Sequence, residues 1–459
     1  MNRFDAIIVG AGQAGPPLAR RLAQAGQRVA LIERKYFGGT CVNTGCIPTK
    51  TLVASAYAAH LARRAAFYGV TLSGPVGVDP RALKARKDAV LGKSRAGVEE
   101  GLRKLDNCTV YEGQARLESP TQVRVGADLL TADKIFLNVG GRATVPDLPG
   151  IEKINFLTNS TILDLDVLPS HIIIVGGGYI GLEFAQMYRR FGSEVTIVER
   201  SARLVQHEDE DVSAAIRDIL EAEGISLRLN SECIHFDSSA DGPVVGTNCT
   251  TGEPHIVGSH VLLAVGRTPN TGDLGLDEVG VMRDEHGYIV VDNQLRTSIP
   301  GIWALGDCNG RGGFTHTSYN DFEIVSENLL DGARRRVTDR IQAHAIYIDP
   351  PLGQVGATEA EVRKTGRPAL IGTRPMTQVG RAVEKGETRG FMKVLVDAES
   401  NKILGAAILG TGGDEAIHCI LDTMYAGAPY TTLTHAVHIH PTVSELIPTM
   451  LESLKPLGD

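Results

Sequence analysis

One pattern occurs twice in this chain and constrains its fold more than any other feature: an apolar strand, a glycine cluster, a helix, and a second strand ending in an acid. In the first copy Ala6-Ile-Ile-Val9 runs into Gly10, Gly12 and Gly15, a helix is predicted over 14–25, and Arg28-Val-Ala-Leu-Ile32 ends at Glu33. In the second, Ile172-Ile-Ile-Val175 runs into Gly176, Gly178 and Gly181, and Val195-Thr-Ile-Val198 ends at Glu199. Gly10 to Glu33 and Gly176 to Glu199 are both 23 residues apart. A lone G-x-G-x-x-G is weak evidence, because glycine-rich turns are common. Two copies, each after a strand, before a helix and with an acid at the same distance, are strong evidence. The glycines let the backbone approach a pyrophosphate, which the free N–H groups and dipole of the helix N-terminus stabilise. The acid accepts hydrogen bonds from ribose hydroxyls, so the chain is predicted to bind two dinucleotides.

At 459 residues there is room for about three domains. Breaks are predicted near Leu148-Pro-Gly150 and near Arg334-Arg335-Arg336. Beyond 341, extended segments (Phe391-Met-Lys-Val-Leu-Val396 and Ile403-Leu-Gly-Ala-Ala-Ile408) precede a helix predicted over 415–426, which reads as a separate α+β domain over 341–459. A net charge of -8 argues against a nucleic-acid partner, and the short run Arg334 to Arg336 reads as a solvated junction. The N-terminal apolar stretch is interrupted by Asp5 and runs into glycines, unlike a signal peptide, and no stretch reaches the length of a membrane span. The protein is therefore expected to be soluble and cytoplasmic, without membrane partners. In that reducing compartment, close cysteines are more often catalytic or metal-binding than structural.

Such a pair occurs in Gly39-Thr40-Cys41-Val-Asn-Thr-Gly45-Cys46-Ile-Pro-Thr-Lys50. Taken alone, a C-x4-C can be an inert bridge or two buried thiols, but Gly45 permits the distorted turn that a reversible disulfide needs. Directly downstream of a dinucleotide motif, the redox reading is favoured. Cys108, Cys233, Cys249, Cys308 and Cys419 stand alone and are expected to be small buried hydrophobes.

The cysteine segment and the two glycine motifs, with Gly266-Arg-Thr-Pro-Asn270 and Thr297-Ser-Ile-Pro-Gly-Ile-Trp-Ala-Leu-Gly-Asp307, closely resemble the flavin disulfide reductases, among them dihydrolipoamide dehydrogenase, glutathione reductase and mercuric reductase. Asn138-Val-Gly140 departs from the family's usual Ala-Thr-Gly. The resemblance implies two Rossmann-like domains plus a C-terminal α+β dimerisation domain, with 1–149 and 268–340 forming the FAD unit, 150–267 the NAD(P) unit and 341–459 the interface. It assigns Gly10, Gly12, Gly15, Glu33, Gly39, Thr40, Gly140 and Asp307 to FAD, with Asp307 on the ribitol. Gly176, Gly178, Tyr179, Ile180, Gly181, Glu199 and Gly266 complete the cofactor sites, Tyr179 as a lid over the nicotinamide. Electrons are expected to pass from NAD(P)H through FAD to Cys46, with Cys41 facing substrate. Lys50 stands beside the flavin and Glu183 is its charge partner.

The segment His435-Ala-Val-His438-Ile-His440-Pro-Thr-Val-Ser-Glu445 could suggest a metal, but no Cys or carboxylate spacing completes a site. The resemblance instead makes His440 the catalytic acid-base and Glu445 its orienting carboxylate, while His435 and His438 read as packing residues. A thiol with a pKa near 8.5 is only about 3% thiolate at pH 7, so such a base has a purpose. The family also implies a homodimer with shared active sites. Glu199 favours NADH by repelling a 2'-phosphate, although Arg200 and Arg203 are close in sequence. The expected acceptor is a small-molecule or protein disulfide, or a soft electrophile. Dihydrolipoamide dehydrogenase and a redox-sensing flavoprotein are the alternatives. A mercuric or other metal-ion reductase is disfavoured despite the likeness of Arg389-Gly-Phe-Met-Lys393, because the C-terminus lacks a cysteine pair, no N-terminal metal-binding domain precedes, and His440-Pro441 is retained.

Overall fold

A computed structural model describes residues 2–248 and 253–458. The two sequence copies become two five-stranded parallel sheets with the same layout. In the first, Ala6–Val9 lies between Val29–Glu33 and Lys134–Leu137, with Cys108–Glu112 and Ile302–Ala304 at the edges. In the second, His171–Val175 lies between Glu194–Val198 and His260–Leu263, with Ser226–Arg228 and Phe156–Leu157 outside. The central strands are apolar along nearly their whole length because a parallel sheet is covered on both faces. Ala6 to Val9 and Ile172 to Val175 are all buried. Helices Gly15–Gln24 and Tyr179–Phe191 follow the glycine turns and bury Leu18 and Leu22, and Leu182 and Ala185, in the cores of the respective sheets.

Strand Ile302–Ala304 pairs with Lys134–Leu137 although a complete second sheet lies between them in sequence. The chain thus leaves the first sheet, builds the second, and returns. Beyond residue 342, a six-stranded antiparallel sheet runs in the order Ala343–Ile346, Leu352–Gly356, Ile403–Leu409, Phe391–Asp397, Ala369–Pro375, Lys455–Pro456. It has its own apolar core around Met392, Val394, Ile408, Ile420 and Ile447. This is the α/β architecture with two Rossmann-like units and a C-terminal α+β unit that the repeats and the resemblance led us to expect.

Several local expectations are corrected. The helix predicted over 415–426 is two pieces, Gly413–Ala416 and His418–Tyr425, joined at Ile417, which keeps helical dihedrals of φ -62° and ψ -24°. Of the lone cysteines among the described residues, only Cys308 is fully buried. Cys108 and Cys419 are half-buried, and Cys233 is exposed at φ 51°, where the register of the Glu232–Ser239 ladder shifts. Cys249 lies outside the described residues. His435 is exposed rather than packed. No helix among the described residues is long and apolar enough to cross a membrane.

Candidate functional site

The sequence repeat extends to individual hydrogen bonds. In the first unit Glu33 accepts from the backbone N–H of Ala11 (2.8 Å) and of Lys35 (2.8 Å). In the second, Glu199 accepts from Gly177 (2.6 Å) and Ser201 (2.7 Å), the matching positions. Each acid therefore ties its strand end to its glycine turn and stands at the turn's edge. The first and third glycines are obligatory on packing grounds. A Cβ on Gly10 would lie 2.2 Å from the Asn138 carbonyl oxygen and one on Gly176 2.4 Å from that of Ala264, while Gly15 and Gly181 each press on the carbonyl of their own first glycine at 2.2 Å. The middle glycine differs: around Gly178 nothing lies within 4 Å, and at Gly12 the nearest atom is the Asn138 side-chain nitrogen at 3.2 Å. Neither following helix has a side-chain cap, which leaves its first N–H groups free for an anion. Both turns fit a dinucleotide pyrophosphate.

Around the first turn the chain gathers distant segments. Gly39, at φ 62°, packs on Gly12 so closely that a Cβ would sit 2.7 Å from its Cα, which seats the cysteine segment on the glycine turn. Arg267 Nη2 donates to Asp307 Oδ2 (3.1 Å), to the Gly141 carbonyl (2.7 Å) and to Thr40 Oγ1 (3.4 Å). Thr40, Asp307 and the segments next to Gly140 and Gly266 thus meet at one place. The departure at Asn138 has a local role: its buried amide donates to the Gly10 carbonyl (3.4 Å) and reaches toward Gly306. Asp321, also buried, accepts from the Gly306 N–H (2.8 Å) and from Asn309 (3.0 Å), and pairs with Arg340, holding the turn that presents Asp307.

The cysteines bridge two helices. Cys41 lies in Gly39–Asn43 and Cys46 opens Cys46–Arg63, with Thr44 and Gly45 making the break between them. The Cys46 thiol is held down to about 6, chiefly by the hydrogen bond from Cys41, with further help from Thr315 and the Lys50 ammonium; crowding by protein atoms and Glu183 oppose this. Cys41 is pushed far up for the reciprocal reason, its hydrogen bond to Cys46, followed by its own burial. Thr315 Oγ1 lies 3.2 Å from the Cys46 sulfur and stands at the first position of helix Thr315–Leu330. One helical turn beyond Cys46, Lys50 Nζ donates to Glu183 Oε2 at 2.6 Å. The other Glu183 oxygen accepts from the Tyr347 N–H at 3.0 Å, and the Lys50 ammonium sits 4.7 Å above the Tyr347 ring. Tyr179 follows Gly178, with half-buried Ile180 next to it, and packs on Phe314 at 5.7 Å; burial raises its hydroxyl to about 12.

His440 behaves differently. Its Nδ1 lies 3.0 Å from both oxygens of Glu445, yet its side chain is 80% exposed and its hydrogen bonds reach neither cysteine. The structure thus brings together Cys41, Cys46, Lys50 and Glu183 and leaves the His440–Glu445 pair apart from them. Sequence reasoning missed Thr315, Tyr347, Asp321 and Arg267. Arg267 stands beside Gly266 in a segment already singled out. The other three carry no local signal, because their partners are far away in sequence.

The family model described as pyridine nucleotide-disulphide oxidoreductase matches residues 4–321, and the one described as its dimerisation domain matches residues 342–451. The chain is 36% identical to the probable pyridine nucleotide-disulfide oxidoreductase RclA of Escherichia coli over 99% of its length and 100% of that protein. It is 32% identical to the mercuric reductase of Streptomyces lividans, covering 97% of this chain and 94% of that one, and 32% identical to the dihydrolipoyl dehydrogenase of Thermus scotoductus, covering 99% and 98%. The solved structure of the HOCl-induced flavoprotein disulfide reductase RclA from Escherichia coli superposes with a TM-score of 0.89 at 34% identity, over 98% of this chain and 99% of that one. Since the two family models together span nearly the whole chain, this protein belongs to the pyridine nucleotide-disulphide oxidoreductases, enzymes of sulfur redox chemistry that use FAD and a pyridine nucleotide.

Proposed function

We propose that this enzyme passes reducing equivalents from NAD(P)H, through FAD, to a Cys41–Cys46 disulfide and on to a disulfide or similar soft electrophile. When bound, the two cofactors supply hydride transfer, which no side chain can. Gly10, Gly12, Gly15, Glu33, Gly39, Thr40, Gly140 and Asp307 would hold FAD, and Gly176, Gly178, Tyr179, Ile180, Gly181, Glu199 and Gly266 the pyridine nucleotide. The division of the chain follows: 1–149 with 268–340 for FAD, 150–267 for the nucleotide, 341–459 for self-association. Chemistry of this kind suits a reducing, cytoplasmic compartment.

The observation that carries the reading is the asymmetry of the thiols. Two electrons and two protons convert the disulfide to a dithiol in which Cys46 loses its proton easily and Cys41 keeps its own. Lys50, bonded to Glu183, keeps a positive charge beside the Cys46 thiolate. Cys41, the nucleophile toward substrate, therefore needs a base, and among the described residues the groups acting on it are Cys46, Thr315 and Lys50. His440, oriented by Glu445 and exposed, would be that base from a second subunit. Deprotonated Cys41 attacks an acceptor R–S–S–R, forming Cys41–S–S–R and releasing one thiolate, which His440 protonates. The Cys46 thiolate then attacks the Cys41 sulfur, reforming the disulfide and releasing the second thiolate, which takes up from solvent the proton that Cys46 had given up.

NADH should be the better donor. Glu199 faces the place where a 2'-phosphate would lie, Arg200 is exposed, and Arg203 Nη2 is engaged with the Gln206 carbonyl at 3.0 Å. A kcat/KM advantage of about tenfold or more over NADPH is expected. Equal values in steady-state assays would show that the arginines compensate. The second reading is dihydrolipoamide dehydrogenase, favoured by the paired His440 and Glu445. NADH oxidation measured across lipoamide, glutathione disulfide, quinones, Hg(II) and Cu(II) decides between them: turnover confined to lipoamide supports the second reading, and turnover on metal ions alone refutes both.

A further inference from the structure

We infer that the C-terminal domain holds the pyridine-nucleotide loop in place, with Lys393 and His344 as positioning residues for nucleotide binding; this rests on the reading of Glu199 and the second glycine turn as the nucleotide site. The loop runs from Glu199, at the end of strand Glu194–Val198, to the start of helix Glu210–Ala222. Its near end closes on the glycine turn. The Val205 N–H donates to the Gly177 carbonyl (2.9 Å), and buried Leu204 packs so tightly on Gly177 that a Cβ there would be 2.8 Å from it. Val205 takes this course at φ 39°, which a β-branched residue adopts only when its surroundings impose it. Leu204 and Val205 are buried in the core of the second sheet while Arg200 and Gln206 on either side of them lie in solvent, so the loop is held here and again at its far end.

The far end is anchored in the C-terminal domain. Buried Glu208 bonds His344 Nε2 at 2.7 Å through Oε1. Asp209 accepts from the N–H groups of Glu359 (3.0 Å) and Ala360 (3.3 Å), at the start of helix Glu359–Thr365. Lys393, only 1% exposed, leaves strand Phe391–Asp397 to meet Asp209 (2.8 Å), Asp211 (2.7 Å) and Glu359 (3.3 Å). A buried ammonium in a sheet is costly unless its partners are held in place, so these carboxylates are located by it as firmly as it is by them. His344 also reaches toward Tyr179 from a second direction. Its ring stacks on Phe314 at 5.7 Å and 5°, and Phe314 packs on Tyr179. The C-terminal domain therefore sets both the loop that presents Glu199 and the aromatic backing of Tyr179.

The test is anaerobic stopped-flow titration of the FAD-loaded enzyme with NADH and with NADPH. Lys393→Met should raise the apparent Kd for NADH about tenfold, with the limiting rate of flavin reduction within about twofold of wild type. Reduction by dithiothreitol, which bypasses the nucleotide site, should give an unchanged spectrum. Asp211→Asn and Glu359→Gln remove one partner each and should raise Kd about threefold; if Lys393→Met does not yield folded flavoprotein, these two decide. His344→Gln keeps a donor for Glu208 and should bind NADH more tightly than His344→Ala. Glu199→Ala checks the underlying reading and should narrow the NADH-to-NADPH ratio. If Glu199→Ala does so while the Lys393, Asp211 and Glu359 variants leave Kd unchanged, or lower the limiting rate instead, the anchoring is refuted. An unchanged ratio in Glu199→Ala refutes the nucleotide reading itself, and the anchoring with it.

Discussion

At the scale of single residues, the two thiols are chemically unequal although only four residues separate them. Cys46 receives the Cys41 hydrogen bond, the Thr315 hydroxyl and the Lys50 charge, so it is the thiolate of the reduced pair. A thiolate against oxidised flavin gives a long-wavelength charge-transfer band, and that band should vanish in Cys46→Ser and survive in Cys41→Ser; the opposite pattern would reverse the two roles. Because the Cys46 thiol is lowered to about 6, the band should be about nine-tenths present at pH 7, complete at higher pH, and should fade as pH falls through about 6. Thr315→Val removes a hydrogen bond to a charged sulfur, worth about 1.5–3 kcal/mol, so the midpoint of that titration should rise by about one to two pH units. A midpoint that does not move would show that Cys41 and Lys50 suffice.

At the scale of elements, the two glycine turns share their acid contacts and the tight packing of their first and third glycines, and the proposed function gives them different cofactors. Gly15 and Gly181 each face the carbonyl of the first glycine in their turn at 2.2 Å, so valine at either position forces the helix off its strand. Gly15→Val should purify with little FAD. Gly181→Val should remain yellow but lose at least about tenfold in NADH affinity, read by titration of flavin reduction. Loss of flavin from Gly181→Val with nucleotide binding intact would exchange the two assignments. The positions of these elements were legible from local chemistry: strands Val29–Glu33 and Phe391–Asp397 lie within a residue of the expected segments. The division of the 413–425 region at Ile417 was not, since no glycine or proline marks it.

At the scale of the whole molecule, the proposed role of His440 as a base calls for a second subunit. His440 is flanked by Val437, 99% exposed, and Ile439, 79% exposed, an apolar tip that water disfavours until another surface covers it. We expect an obligate homodimer with two shared sites. Cys41→Ser and His440→Ala homodimers should both be strongly impaired. Mixed dimers should regain activity at up to one working site, because intact cysteines from the His440→Ala chain meet an intact histidine from the other. In a verified mixed dimer, absence of rescue would show that each histidine serves its own chain.

What the chain's order of residues determined by itself is whatever a few neighbours can encode. A glycine turn with an acid 23 residues on and a C-x4-C broken by glycine each act through backbone geometry within a short span, so they are readable without a fold. Likeness to a family extended this to the Lys50–Glu183 pair, 133 residues apart. Only the tertiary structure placed Thr315 on Cys46 across 269 residues, Lys393 on Asp211 across 182, and Asn138 beneath the first glycine turn. Those contacts depend on how sheets and domains dock, which is set by the burial of whole apolar faces and not by any local signal; for the same reason Cys233 lies in solvent while Cys308 is enclosed.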